Sequence, residues 1–268
     1  MRQIEFWKMN GSGNDFIIID NRSKMVEKTI DVSLKQFIVN ICRRRLSIGA
    51  DGIILVENDD ALDFAWRFFN NDGSEVEMCG NGSRCVARFA YEKRIAKDKM
   101  CFRTQAGPIH AWIVDKNRVK VELTKPSSFK KIDINGREGY FINTGVPHVV
   151  YLIENVENID IMKIGRETRY SKMFKQGTNV NFVKIIGEKS IIIRTYERGV
   201  EGETLACGTG SVASVLIGGA LGMLKPPVLV KTRGGEELTV YFQGMEEVML
   251  EGKTNSVYRG VMNNEAWR

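Results

Sequence analysis

The sequence predicts an α+β protein built as two pseudo-symmetric domains, and three observations carry that prediction. Strand-like runs of β-branched and aromatic residues outnumber the segments with helical periodicity. Helices do not regularly separate those strands, which disfavours a doubly wound parallel sheet and favours largely antiparallel ones. A Gly-rich motif occurs twice, as "CGNGS" from Cys79 and "CGTGS" from Cys207, and 268 residues are enough for two domains of ordinary size.

In chain order, the strand runs are "FIIID" (16–20), "GIILVE" (52–57), "DFAWRFFN" (63–70), "IHAWIV" (109–114), "RVKVEL" (118–123), "HVVYLI" (148–153), "NFVKII" (181–186), "SIIIRTYE" (190–197), "PVLVKTR" (227–233), "LTVYF" (238–242) and "EVMLEG" (247–252). Gly, Asn, Asp or Pro borders many of them, as turn chemistry requires. Apolar residues recur at helical spacing in "VSLKQFIVNICRR" (32–44), "SRCVARFAYEKR" (83–94) and "SVASVLIGGALG" (211–222). Setting Cys79 on Cys207, an offset of 207 − 79 = 128, also aligns Gly80 with Gly208, Gly82 with Gly210, Ser83 with Ser211 and Glu75 with Glu203. The inferred halves are 1–122 and 123–255, broken near "LTKPSSFKK" (123–131), with the last residues, about 256–268, as a candidate return to the first half.

With 43% hydrophobic and 27% charged residues the chain reads as globular, and it has no apolar run of membrane-spanning length. The net charge of +6 comes from scattered residues whose longest run is Arg43 to Arg45, so neither nucleic acid nor a membrane is an expected partner. The N-terminal segment lacks a secretory pattern, so a cytoplasmic location is expected. Two histidines, His110 and His148, with no Cys-x-x-Cys pair argue against zinc, and no metal or other cofactor is expected. Five cysteines are too few and too odd for a disulfide framework. Cys42, Cys85 and Cys101 read as core residues.

Cys79 and Cys207 read differently, because each precedes a Gly-rich turn that opens a helical pattern. The first N–H groups of a helix lack internal partners and favour an anion, so a thiolate there is expected to have a lowered pKa and a carboxylate to be held by the same amides. Two equivalent thiols on one ligand suit inversion at carbon: a thiolate takes a proton from one face and a thiol returns one to the other. The pair then shares a single proton.

Six segments in order, "GSGNDFIIID", "IGADGIILVE", "FFNNDGSEVEMCGNGSRC", "TGVPHVV", "GTNVNFV" and "TYERGVEGETLACGTGS", resemble the diaminopimelate epimerases, cofactor-independent two-cysteine enzymes. The resemblance implies two domains, each a barrel-like sheet around a central helix, a site in the cleft between them, and a homodimer. It implies interconversion of L,L- and meso-diaminopimelate, a small diamino-dicarboxylate, on the route to lysine and the cell-wall peptide. Cys79 and Cys207 would exchange the proton, and Gly80, Asn81, Gly208 and Thr209 would hold the reacting carboxylate. Asn14, Asn70, Asn179, Glu197 and Arg198 would contact the rest of the substrate, while His148 and Glu197 would poise the thiols. Gly52 and Val146 stand where many members have Gln and Asn, and Asn10 is a third departure. Two other readings suit the residues: a racemase of another amino acid on the same fold, and a redox-sensing binding protein whose Cys79 and Cys207 close into a disulfide on oxidation.

Overall fold

In the computed structural model, which describes residues 3–268, the chain runs β1 (Gln3–Gly11), β2 (Asn14–Asp20), α1 (Met25–Thr29), α2 (Leu34–Cys42), β3 (Gly52–Glu57), β4 (Phe64–Asn70), β5 (Glu75–Val76), α3 (Gly80–Glu92), β6 (Lys99–Thr104), β7 (Gly107–Ile113) and β8 (Arg118–Glu122). It continues through β9 (Ser127–Ile134), β10 (Arg137–Asn143), β11 (Pro147–Leu152), α4 (Ile161–Arg169), β12 (Asn179–Gly187), β13 (Ser190–Glu197), β14 (Gly202–Thr204), α5 (Gly208–Ala220), β15 (Val228–Lys231), β16 (Glu237–Gln243), β17 (Glu247–Lys253) and β18 (Asn255–Asn263). Two compact units result. The first takes the chain up to Val121 together with Lys253–Arg268, and the second is Glu122–Gly252.

In the first unit β1 lies between β18 and β2, antiparallel to both. β2 pairs parallel with β3, β3 antiparallel with β4, and β4 accepts β5 antiparallel and β6 parallel. β6, β7 and β8 continue as antiparallel neighbours. The second unit repeats this pattern strand for strand. β10 lies between β9 and β11, β11 is parallel to β12, β12 is antiparallel to β13, and β13 accepts β14 antiparallel and β15 parallel before β16 and β17 follow. Each parallel pair needs a crossover: α1 and α2 lie between β2 and β3 and α4 between β11 and β12, while α3 lies between β4 and β6 and α5 between β13 and β15.

The repeat reaches down to an ion pair. Arg67 on β4 meets Glu75 on β5 at 3.1 Å, and Arg194 on β13 meets Glu203 on β14 at 2.6 Å. This explains why Glu75 and Glu203 align when the two cysteines do: each braces the short strand that leads into a cysteine.

α3 and α5 are the central helices. α5 is apolar on nearly every side, and its residues from Gly210 to Gly218 are buried, as an all-round hydrophobic helix requires. Its partners in the second unit's core include Val150, Val183, Ile193, Val228, Val240 and Leu250. α3 buries Cys85, Val86, Ala87, Phe89 and Ala90, with Trp7 edge-on to Phe89 at 5.0 Å.

The sequence runs missed α1, α4, β1, β5, β6, β9, β10, β14 and β18. β9 and β18 are mostly exposed, so their residues carry little apolar alternation. Cys42 and Cys85 lie in the core as expected, but Cys101 does not: it sits half-buried on β6, at a position whose side faces partly to solvent. No helix among the described residues is long and apolar enough to cross a membrane.

Candidate active site

Strand direction gathers the candidate residues of each unit at one rim. In the first unit β1 ends at Gly11 and β2 begins at Asn14; β3, parallel to β2, begins at Gly52 on the same side, and antiparallel β4 ends there with Asn70 opposite Gly52. In the second unit β11 begins with Pro147 and His148 opposite Asn179 of β12, and antiparallel β13 ends nearby at Glu197.

Cys79 is the N-cap of α3. Its backbone is extended (φ −148°, ψ 115°), and the Gly82 N–H donates to its sulfur at 3.4 Å. Cys207 repeats this at α5, with φ −128°, ψ 111° and the Gly210 N–H donating at 3.4 Å. A thiol thus fills the role usually taken by Ser, Thr, Asp or Asn, accepting from the third helical N–H. The N–H groups of Gly80, Asn81, Gly208 and Thr209, the first two residues of each helix, have no acceptor inside the helix.

The remaining residues of the first rim form a hydrogen-bonded set. Asn81 Nδ2 donates to Asn14 Oδ1 at 2.8 Å, and Asn14 Nδ2 donates to Asp51 Oδ2 at 3.2 Å. Arg44 grips Asp51 at 2.8 Å and Asp15 at 2.6 Å, while Lys8 meets Asp15 at 2.7 Å and the Gly49 carbonyl. Burial pushes the Asp15 carboxyl up, but the hydrogen bonds and charges of Arg44 and Lys8 outweigh it and hold the pKa down at about 2. Asn70 is exposed, its Nδ2 donating to Ser74 Oγ at 3.2 Å. At Gly52 a Cβ would lie 2.5 Å from the Phe69 carbonyl oxygen and 2.7 Å from the Phe68 ring, so this chain has no room there for the Gln side chain of the resemblance.

In the second rim Asn179 Oδ1 accepts the Arg198 N–H at 2.9 Å and its Nδ2 donates to the Pro147 carbonyl at 3.2 Å, tying the start of β12 to the end of β13. The Arg198 side chain donates to the Gln176 carbonyl at 3.2 Å. Thr144 Oγ1 donates to the Thr209 carbonyl at 3.2 Å, and the Thr209 hydroxyl lies 3.5 Å from the Cys207 sulfur. His148 is fully buried. Asn181 accepts from Thr195 Oγ1 at 3.0 Å and donates to the Val149 carbonyl at 3.0 Å, so its NH2 also faces His148 Nδ1 at 3.1 Å. Nδ1 is therefore the acceptor and Nε2 carries the hydrogen. That Nε2 has no hydrogen-bond partner among the described residues.

The electrostatics correct one expectation. The Cys207 thiol is not acidified: burial, and next the negative charge of Glu197, push its pKa up to about 12, against the opposing hydrogen bonds of the Thr209 hydroxyl and the helix amides. Desolvation outweighs the helix mouth. Burial likewise holds His148 down at about 3, aided by the positive charge of Arg198, so the ring is neutral near pH 7.

Sequence reading missed Ser12, Asp51, Arg84, Thr144 and Asn181 as site residues. All but Thr144 act on another side chain of the rim, and such support leaves no spacing signal of its own. Asn181 had a faint one: it follows Asn179 by two along β12, so the two share a face of the strand.

A diaminopimelate epimerase family profile matches residues 6–129 and 140–257. The diaminopimelate epimerase of Aquifex aeolicus is 48% identical over 275 residues, covering 98% of this chain and 99% of the relative. That of Chlorobaculum tepidum is 39% identical over 260 residues, covering 95% and 99%. Among solved structures, a PhzF-family phenazine biosynthesis protein of Bacillus anthracis aligns with a TM-score of 0.69 at 14% identity, over 98% of this chain and 100% of the other. A hydroxyproline epimerase of Agrobacterium vitis aligns at 0.67 and 15%, over 97% and 92%. At such identities the likeness is one of fold.

Proposed function

The chain belongs to the diaminopimelate epimerase family, and from that premise we propose that it interconverts L,L- and meso-diaminopimelate with Cys79 and Cys207 as its two bases. The observation that carries this is the duplicated thiol cap, a sulfur held by the third N–H of each central helix.

Inversion requires a base on one face of the α-carbon and an acid on the other. One cysteine, as thiolate, takes the α-proton and becomes a thiol. The other, as thiol, gives its proton to the opposite face and becomes the thiolate. One proton enters and one leaves, no electrons are transferred, and the reverse reaction exchanges the roles. As the C–H bond breaks, charge moves onto the adjacent carboxylate, and oriented donors that await it lower the barrier. The amides of Gly80, Asn81, Gly208 and Thr209 take that part.

Arg198 and the amides of Asn14, Asn70 and Asn179 suit the remaining carboxylate and ammonium groups of a diamino-dicarboxylate. Glu197 opposes the Cys207 thiolate by charge, which keeps Cys207 as the acid until a substrate ammonium neutralises that charge. His148, neutral and with its Nε2 hydrogen without a partner among the described residues, is suited to poise a thiol. The resemblance also carries a homodimer and a cytoplasmic location, which sedimentation of the purified protein and cell fractionation test.

The deciding experiment follows deuterium uptake at the α-carbon of diaminopimelate in heavy water, started from each isomer. The native protein incorporates deuterium in both directions, and Cys79→Ala and Cys207→Ala each lose inversion by about 10³-fold or more while remaining folded. Near-native inversion in either variant rules the scheme out.

A further inference from the structure

The two units differ beneath their helix mouths. Sheet register places His148 beside Asn179, and Asn181, two residues further along β12, beside Thr195 of β13. In the first unit Phe16 stands beside Gly52, and Ile54, two residues further along β3, beside Phe68 of β4. The repeat therefore matches His148 with Phe16, Asn181 with Ile54 and Thr195 with Phe68. The helices agree: a methyl at Gly210 would meet Asn181 Oδ1 at 2.3 Å and the Cys207 sulfur at 3.3 Å, where one at Gly82 would meet Ile54 at 3.3 Å. All six side chains are buried. Three apolar groups, with Phe16 edge-on to Phe68 at 5.8 Å, fill this place in the first unit, so the fold does not demand a polar trio there. Burying polar groups carries a desolvation cost that packed hydrocarbon does not, so the trio of the second unit serves something other than packing.

Its hydrogen bonds show what. The Val149 carbonyl can only accept, and at 3.0 Å it compels Asn181 to turn its NH2, not its oxygen, that way. The second hydrogen of the same NH2 faces His148 Nδ1 at 3.1 Å. A donor there excludes a hydrogen on Nδ1, and with it both the other neutral tautomer and the imidazolium. Thr195 Oγ1, donating to Asn181 Oδ1 at 3.0 Å, supports the amide, but the carbonyl alone decides its direction. What remains is a buried Nε2–H without a partner among the described residues, a donor held for an incoming acceptor.

We infer that Asn181 is a positioning residue that fixes His148 as its Nε2–H tautomer, making this histidine a hydrogen-bond donor in the reaction and barring it from service as a base. The inference deepens the epimerase reading and rests on it for the identity of the reaction. Asn181 acts through His148.

The test labels the protein with 15N-histidine. His110 and His148 are the two histidines that report, and His148→Gln identifies the second. Long-range 1H–15N correlations through the ring's carbon-bound protons show which nitrogen carries hydrogen. At pH 7 native His148 is expected with a bare Nδ1 and a protonated Nε2; a protonated Nδ1 overturns the inference. Thr195→Val is expected to keep that pattern, because the Val149 carbonyl still orients the amide, and a switched ring there overturns it too. Asn181→Leu, close to Asn in shape and apolar like Ile54, removes the donor facing Nδ1, so the Nδ1–H form is expected to appear. A ring that stays wholly Nε2–H overturns the inference, and Asn181→Ile repeats the measurement should the Leu variant not fold. In the kinetic arm, Asn181→Leu lowers kcat for inversion about 10- to 100-fold while KM changes less than about threefold. Native kcat in a variant whose ring has lost the fixed tautomer overturns the role. A native protein that leaves the α-hydrogen of diaminopimelate in place would instead refute the epimerase reading, and the spectra would still decide on Asn181.

Discussion

Replacing His148 with Gln should flatten the acid side of the stability profile. The folded ring has a pKa of about 3 against an ordinary 6.5, because its burial excludes the charged form. The unfolded chain therefore binds a proton that the folded protein refuses, and stability falls as pH drops through 6.5, continuing until about 3. At 1.36 kcal/mol per unit the full loss is about 5 kcal/mol, and by pH 4.5 about 2.7 kcal/mol of it has occurred. Asp15 works in the same direction but lower, losing its contribution only between about 3.8 and 2, so pH 4.5 to 7.5 isolates the histidine. Urea unfolding at several pH values in that window is the assay. The signal must be far-ultraviolet circular dichroism, since Trp7, Trp66, Trp112 and Trp267 all lie in the first unit and His148 lies in the second. His148→Gln is expected to start less stable at pH 7.5, and the native protein to lose about 2.7 kcal/mol more than the variant by pH 4.5. Parallel profiles would show that the ring is not held neutral by its surroundings.

Three further outcomes follow from distances and charges at the helix mouths. Gly210→Ala puts a methyl 2.3 Å from Asn181 Oδ1, so it should destabilise the second unit by about 1–3 kcal/mol in denaturant unfolding. Gly82→Ala meets the Ile54 side chain at 3.3 Å, Trp66 at 3.4 Å and the Cys79 Cβ at 3.6 Å, so it should be milder, and equal costs would contradict the described packing. Alkylation of Cys207 by iodoacetamide, resolved by peptide mass spectrometry, should keep rising with pH past 9, and Glu197→Gln should move the profile to lower pH; a plateau below 9 in the native protein would refute the raised pKa. In Cys79→Ala and Cys207→Ala the far-ultraviolet spectrum should match the native one while inversion is lost, and loss of the spectrum would assign the sulfurs a structural role.

How much of this was legible beforehand depended on periodicity and repetition. The central helices could be read because α5 is apolar throughout and α3 alternates faces, and the two cysteines because their loops recur 128 residues apart, from 79 to 207. Strands β9 and β18 could not, since most of their residues are exposed and mixed in polarity. The site split along the same line. Residues in duplicated or family-like segments, such as Asn14, Asn179 and Glu197, could be named, whereas Arg84, Asp51 and Asn181 act through tertiary hydrogen bonds between distant positions. The thiol pKa was misjudged for a related reason: sequence reveals the helix start that lowers it but not the burial that raises it.

The sulfur caps have an evolutionary cost. Serine is among the side chains best suited to start a helix, and its hydroxyl would accept the same N–H more strongly than a thiol does. A Cys79→Ser or Cys207→Ser replacement should therefore leave the fold intact or firmer while silencing proton transfer. Selection for thermal robustness alone would have erased both cysteines, so their survival at two such starts marks places where reactivity has prevailed over durability.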